Sequence, residues 1–129
     1  MAKWFLDEEF SEEARLLRDY SVKNELMISV PSLLFYETHN ALRYTGLYDS
    51  EELASAARSL SKYGFEVWEP RSRISEETAR TSLRYDVSVY DVAYVALASR
   101  LQATLYTTDL ELVRKAPQYS KHVKNLMAE

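Results

Sequence analysis

The chain has 129 residues, 47% of them hydrophobic and 28% charged, with a formal net charge of −4. That length suits a single domain, 1–129, with a buried core of its own. The lack of cysteine excludes disulfides, thiolate nucleophiles and cysteine-based zinc sites, and the two histidines, His39 and His122, match no metal-ligand spacing.

The acidic balance argues against a non-specific nucleic-acid binder, which usually carries a basic face. It does not argue against a metal-dependent nuclease, whose own site carboxylates lower the net charge. The opening MAKWFLDEEF turns acidic before an apolar run long enough for a signal peptide, and no stretch reaches membrane-spanning length. The cytoplasm is the expected location.

In chain order the pattern alternates. Residues 3–10 read as a short helix ending in an acidic turn, and 11–23 as a helix with Ala14, Leu16, Leu17 and Tyr20 on its inner face. ELMISV, 25–30, is a short buried strand. Pro31 opens a helix, where proline is best tolerated, running to about Tyr44 and stopped by Gly46. Ser50 is an N-cap candidate for a helix over 51–63, with Gly64 just past its end. FEVWE, 65–69, reads as a strand ended by Pro70. Ser75 starts a helix to about Tyr85, and Ser88 starts another through Leu101. TLYTT, 104–108, is a strand followed by a short helix over 110–115, and a last edge strand is expected around 122–126. Strands separated by helices indicate an α/β fold with a parallel sheet.

Three acids stand where strands give way to helices or in first helical turns: Glu37, Asp91 and Asp109. In an α/β fold such positions converge at the carboxyl edge of the sheet, where ligands bind. Carboxylates gathered there repel one another unless a cation sits among them, and oxygen-only ligands suit Mg²⁺ or Mn²⁺. Each acid has a plainer reading. Glu37 alone would be an exposed or salt-bridged helix residue, with Asn40 and Tyr44 on its face. Ser88 and Asp91 have the spacing of a capping box, although the helix beyond Asp91 carries no charge from Val92 to Ala98 and reads as buried all round. Asp109 could simply cap the helix that follows it. Asp86 is a lesser candidate that borders the preceding helix, and Glu111 reads as solvent-facing. Lys3, Arg43, Arg84 and Lys115 flank the acidic motifs and are candidate phosphate contacts, with surface solvation as the alternative. Tyr90 and Tyr94 have core-like spacing.

The segments KWFLDEE, VPSLLFYETHNALR, SVYDVAYVALASRL and LYTTDLEL, in this order, resemble PIN domains, and most of all the VapC-like toxin ribonucleases of prokaryotic toxin–antitoxin pairs. The resemblance implies an α/β/α sandwich with a parallel sheet and an endoribonuclease that hydrolyses RNA phosphodiester bonds with Mg²⁺ or Mn²⁺. It implies that Glu37, Asp91 and Asp109 are the metal-holding, catalytic acids, supported by Asn40 and Thr107. It implies a homodimer and an antitoxin protein as partners. The sequence departs from the family pattern at its start: the family's first strand, ending in an Asp-x-Ser type motif, would precede Lys3, and neither the strand nor its acid is in this chain. Impaired nuclease activity, restored by an N-terminal extension, is the expectation on that ground. A catalytically degenerate PIN-fold protein serving as a binding or dimerisation module is the alternative.

Overall fold

A computed structural model of the chain describes residues 1–6 and 8–128. It has two compact units, Met1–Trp68 and Glu69–Glu129, each built round a pair of parallel strands.

In the first unit a single 3₁₀ turn, Ala2–Trp4, precedes helix α1, Ser11–Val22. Of the expected helix over 3–10, residues 3 and 4 belong to this 3₁₀ turn, 5, 6 and 8–10 are turns and bends, and residue 7 lies outside the described residues; Phe10 enters α1 in the left-handed region at φ 66°. Strand β1 is only Ser29–Pro31, shorter than ELMISV suggested. Each strand here extends only as far as its partner pairs it. β1 lies parallel to β2, Glu66–Trp68, in the register Ser29 to Glu66, Val30 to Val67 and Pro31 to Trp68. Pro31 closes the strand instead of opening the helix. The ladder steps past it, with the Ser32 amide donating to the Trp68 carbonyl at 2.9 Å, so the missing proline N–H costs no bond.

Helices α2, Leu33–Tyr44, and α3, Ser50–Ser61, make the crossover between the two strands. Gly46 and Gly64 follow them at φ 72° and 71°, where a side chain would be strained. The cap of α3 is Asp49 rather than Ser50. The core of this unit holds Leu42, Leu60, Val30 and Leu34, all buried. Trp4 meets Tyr63 edge-on at 5.0 Å between ring centroids and Phe65 at 5.8 Å, and its indole N–H donates to the Ala14 carbonyl at 2.8 Å. That bond satisfies the polar atom of a buried tryptophan. Ala14 is the one expected inner-face residue of α1 that is fully buried, and Tyr20 is exposed.

In the second unit α4, Ser72–Tyr85, begins three residues before Ser75 and packs on α5, Val89–Leu101. Strand β3, Leu105–Thr107, is followed by α6, Leu110–Lys115, and by β4, Ser120–His122. The chain beyond is 3₁₀, Val123–Ala128, so the last strand ends where it was expected to begin. β3 and β4 are parallel, Leu105 opposite Ser120 and Thr107 opposite His122. A parallel pair needs a crossover, and α6 supplies it. Val92, Val95, Leu112 and Ala116 form the core here, joined by Tyr85, Val87, Leu105 and Tyr119. In α5 the residues Val95, Ala96, Leu97 and Ala98 are all buried in succession, as its uncharged sequence implied. Tyr90 is not core: its side chain is exposed at the start of α5.

Candidate functional site

Two of the three acids come to one cleft, within the second unit. Its lining includes Asp86, Ser88, Asp91, Asp109, Glu111 and Lys115, over apolar Val87 and Leu112. The turn from α4 into α5 shapes one wall. The Ser82 hydroxyl donates to the Val87 carbonyl at 2.6 Å, the Val87 amide donates to the Ser82 carbonyl at 3.2 Å, and Asp86 takes the left-handed conformation at φ 53° that ends α4. Asp is one of the few side chains that tolerates it.

Ser88 caps α5, its hydroxyl accepting from the Asp91 amide at 3.2 Å. This is half of a capping box. The other half, an acid reaching back to the cap residue's own amide, is not formed here, and the Asp91 carboxylate has no hydrogen-bond or ion-pair partner among the described residues. Asp91 therefore presents a free carboxylate to the cleft from the first turn of a helix, where the helix dipole favours negative charge.

Asp109 does cap its helix. One carboxylate oxygen, Oδ1, accepts from the amides of Glu111 at 3.0 Å and Leu112 at 3.2 Å, while Oδ2 is left without a partner among the described residues. The Thr107 hydroxyl accepts from the Asp109 amide at 3.1 Å, so the end of β3 holds the residue in place. Capping and site roles are compatible, because each uses a different oxygen.

Glu111 lies on the cleft rim but is taken. Arg114 donates to both of its oxygens, from Nε at 3.1 Å and from Nη2, and this bonding holds the Glu111 carboxyl below its usual pKa. Lys115 sits deeper, its Nζ donating to the Asp86 carbonyl at 2.7 Å.

Glu37 belongs to the first unit, exposed on α2 with Asn40 one turn further on. The chain start is near it. Burial pushes the Met1 α-amine below its usual pKa, Lys3 adds to that, and the charges of Glu37 and Glu8 oppose it. Of the phosphate-contact candidates, Lys3 is paired with Glu8 at 3.0 Å, Arg43 stacks its guanidinium 5.3 Å from the Tyr44 ring centroid, Arg84 is exposed on the last turn of α4, and Lys115 alone lines the cleft.

The donor atoms on the cleft are carboxylate oxygens, which suit a hard divalent cation. No group of three or more His, Cys, Asp or Glu side chains able to hold a metal together occurs among the described residues. Of the four cleft carboxylates Glu111 is committed to Arg114, which leaves the two expected site acids, Asp91 and Asp109, with Asp86 beside them. Among the described residues no helix is long and apolar enough to cross a membrane.

Parallel strand pairs with helical crossovers, and paired acids at a strand end and a helix start, define a class of α/β proteins with an acidic site. The PIN domain family model matches residues 1–117, and the chain belongs to the PIN-domain family. It is 41% identical over 91 residues to Ribonuclease VapC1 of Mycobacterium tuberculosis, spanning 68% of this chain and 67% of that protein. It is 29% identical over 122 residues to Ribonuclease VapC3 of Pyrobaculum aerophilum, spanning 91% of this chain and 89% of the relative. Among solved structures, that of PAE2754 from Pyrobaculum aerophilum has a TM-score of 0.64 and 25% identity, covering 93% of this chain and 91% of that one.

Proposed function

We propose that the chain is a metal-dependent endoribonuclease, the toxin of a toxin–antitoxin pair, that hydrolyses RNA phosphodiester bonds. The PIN-domain match and the VapC ribonuclease relatives support the class. The observation that carries the chemistry is the Asp91 carboxylate, which lines the same cleft as Asp109 and is spent on neither a cap nor an ion pair. One family match across both compact units supports reading 1–129 as a single PIN-like domain.

Asp91 and Asp109 would hold Mg²⁺ or Mn²⁺ through carboxylate oxygens, with Glu37 as the third acid of the set. The cation, when bound, would supply charge neutralisation at the phosphate and acidify water there. Thr107 fixes the Asp109 backbone and so the direction of its carboxylate, and Asn40 would support Glu37 from one turn away. The chain has no cysteine, and direct hydrolysis by water needs no protein nucleophile: the water oxygen bonds to phosphorus as the bond to the leaving oxygen breaks.

The test is cleavage of a structured RNA by the full chain with Mg²⁺ or Mn²⁺, with chelator, and by Asp91→Asn. Metal-dependent cleavage lost in the variant supports the reading, and cleavage that persists equally in Asp91→Asn refutes it. That only two of the three expected site acids, Asp91 and Asp109, line the cleft favours a second reading, a PIN-fold module that binds without cutting. RNA binding without turnover under all metal conditions would select it. A homodimer, an antitoxin partner and a cytoplasmic location complete the proposal. Sedimentation showing a 15.0 kDa monomer across micromolar concentrations would remove the dimer.

A further inference from the structure

We infer that Lys115 is a phosphate-contacting residue of this cleft, a fixed cation that binds the RNA backbone beside Asp91 and Asp109; the inference rests on the ribonuclease reading. The cleft lining has four acids, Asp86, Asp91, Asp109 and Glu111, and one cation, Lys115. A polyanion entering it meets repulsion everywhere except at bound metal and at that ammonium.

Lys115 is held differently from the cations that rest directly on a carboxylate; Arg15 also donates to a carbonyl, that of Leu6 at 2.8 Å, but it is not on the cleft. Lys3 is held by Glu8, Arg100 by Glu77 and Arg114 by Glu111, and in each pair a carboxylate cancels the charge. Lys115 donates at 2.7 Å to the carbonyl of Asp86, 29 residues away in sequence. A carbonyl is neutral, so the bond fixes the ammonium and leaves its charge in place. Its nearest carboxylate oxygen, Glu111 Oε1, is 3.8 Å away and already accepts from Arg114. An ammonium has three donors; one serves the carbonyl and the others remain for a ligand. The stem is largely covered, with the side chain 25% exposed, so the head is held near one position.

The plainer role is structural: a lysine on the last carbonyls of α4 is an ordinary way to satisfy a helix C-terminus. A purely structural tether and a phosphate contact differ in salt dependence, since each neutralised phosphate on a single strand releases counterion and steepens log affinity against log salt by about 0.7.

The experiment measures binding of a short 2′-O-methyl RNA oligonucleotide by fluorescence anisotropy in Mg²⁺ over a series of salt concentrations. It compares the full chain with Lys115→Met and Lys115→Arg, with thermal unfolding of each. We expect Lys115→Met to weaken binding several-fold at low salt and to flatten the slope by about 0.7, and Lys115→Arg to retain most of both. An unchanged slope in Lys115→Met, in a chain that otherwise binds, overturns the inference and leaves the ribonuclease reading standing. So does Lys115→Arg falling as far as Lys115→Met with the same loss of thermal stability. If the unmodified chain does not bind RNA, both fall together.

Discussion

The start of α3 and the start of α5 share a sequence signature and use it differently. Asp49-x-x-Glu52 forms both halves of a capping box: Asp49 Oδ1 accepts from the Glu52 amide at 2.8 Å, and the Asp49 amide donates to Glu52 Oε1 at 3.2 Å. Ser88-x-x-Asp91 forms only the first half, at 3.2 Å. Side-chain reach accounts for part of this, since aspartate is one methylene shorter than the glutamate that usually closes the box. At α3 the acid is consumed by the backbone of an exposed helix start. At α5 the acid is left over, and it lines a cleft with a second acid. A capping pattern therefore locates a helix start but does not reveal what its acid does; the length of the acid at the third position is the better clue.

The largest effect that sharpens this comparison is on activity. Asp91→Asn keeps the shape of the helix start and removes the charge. A lost ligand should cost more than the roughly 10–100-fold that outer partners of a metal site cost. Its stability should fall by no more than about 1 kcal/mol, the upper end of the helix-dipole contribution of one exposed acid. Single-turnover RNA cleavage and thermal unfolding read the two quantities separately. A variant that unfolds readily but still cuts would reverse the assignment and make Asp91 the structural acid. Glu37→Gln should lose activity to a similar extent if Glu37 completes the set.

Asp109 stands between the two cases, because it is both cap and candidate ligand. Asparagine caps nearly as well as aspartate, whereas alanine costs about 1 kcal/mol. Asp109→Asn should therefore lose cleavage and keep stability, and Asp109→Ala should lose both. Equal stability of the two variants would mean that the bonds to Glu111 and Leu112 contribute little.

Much of this was legible in the sequence. Helix α6 was expected over 110–115 and occupies Leu110–Lys115, and Ser88 was expected to start α5 and caps it. Short apolar runs were less legible. ELMISV and TLYTT give strands of three residues each, because the length of a parallel strand is set by a partner far along the chain rather than by its own apolar residues. Pro31 departs from its expected place for the same reason: pairing with Trp68 outweighs the local preference of proline for a helix start. Tyr90 has the spacing of a core residue and is exposed, since a residue in a first helical turn can precede the point where packing begins. In the site, the residue types were legible and their bonding was not. Nothing in the sequence shows that Asp91 is left over from its cap, or that Lys115 reaches the carbonyl of Asp86.

At α3 the expected effect is on stability alone. Asp49→Ala should cost about 1 kcal/mol and leave RNA cleavage unchanged, because the bond it breaks, from the Glu52 amide to Asp49 Oδ1, lies on an exposed helix start of the first unit. Measurable loss of cleavage with an unchanged melting temperature would show that this acid, too, has a role beyond the cap.

The smallest effect belongs to Glu111, and its sign can be worked out. Hydrogen bonding from Arg114 holds the Glu111 carboxyl below its usual pKa. A depressed carboxyl stabilises the fold above its unfolded value, about 4.3 for glutamate, and that contribution is lost as pH falls through the lower folded value. The pair is exposed, with side chains 67% and 59% accessible, and such pairs contribute little. Glu111→Gln should thus lower the melting temperature slightly at neutral pH, by less than Asp49→Ala does, and the two chains should converge under acid conditions. The same substitution removes the carboxylate nearest to Lys115, 3.8 Å away. If Lys115 meets phosphate, Glu111→Gln should bind the RNA oligonucleotide no more weakly than the unmodified chain, even as its stability falls. Weaker binding would mean that Glu111 orients Lys115, and that the carbonyl of Asp86 does not hold the ammonium on its own.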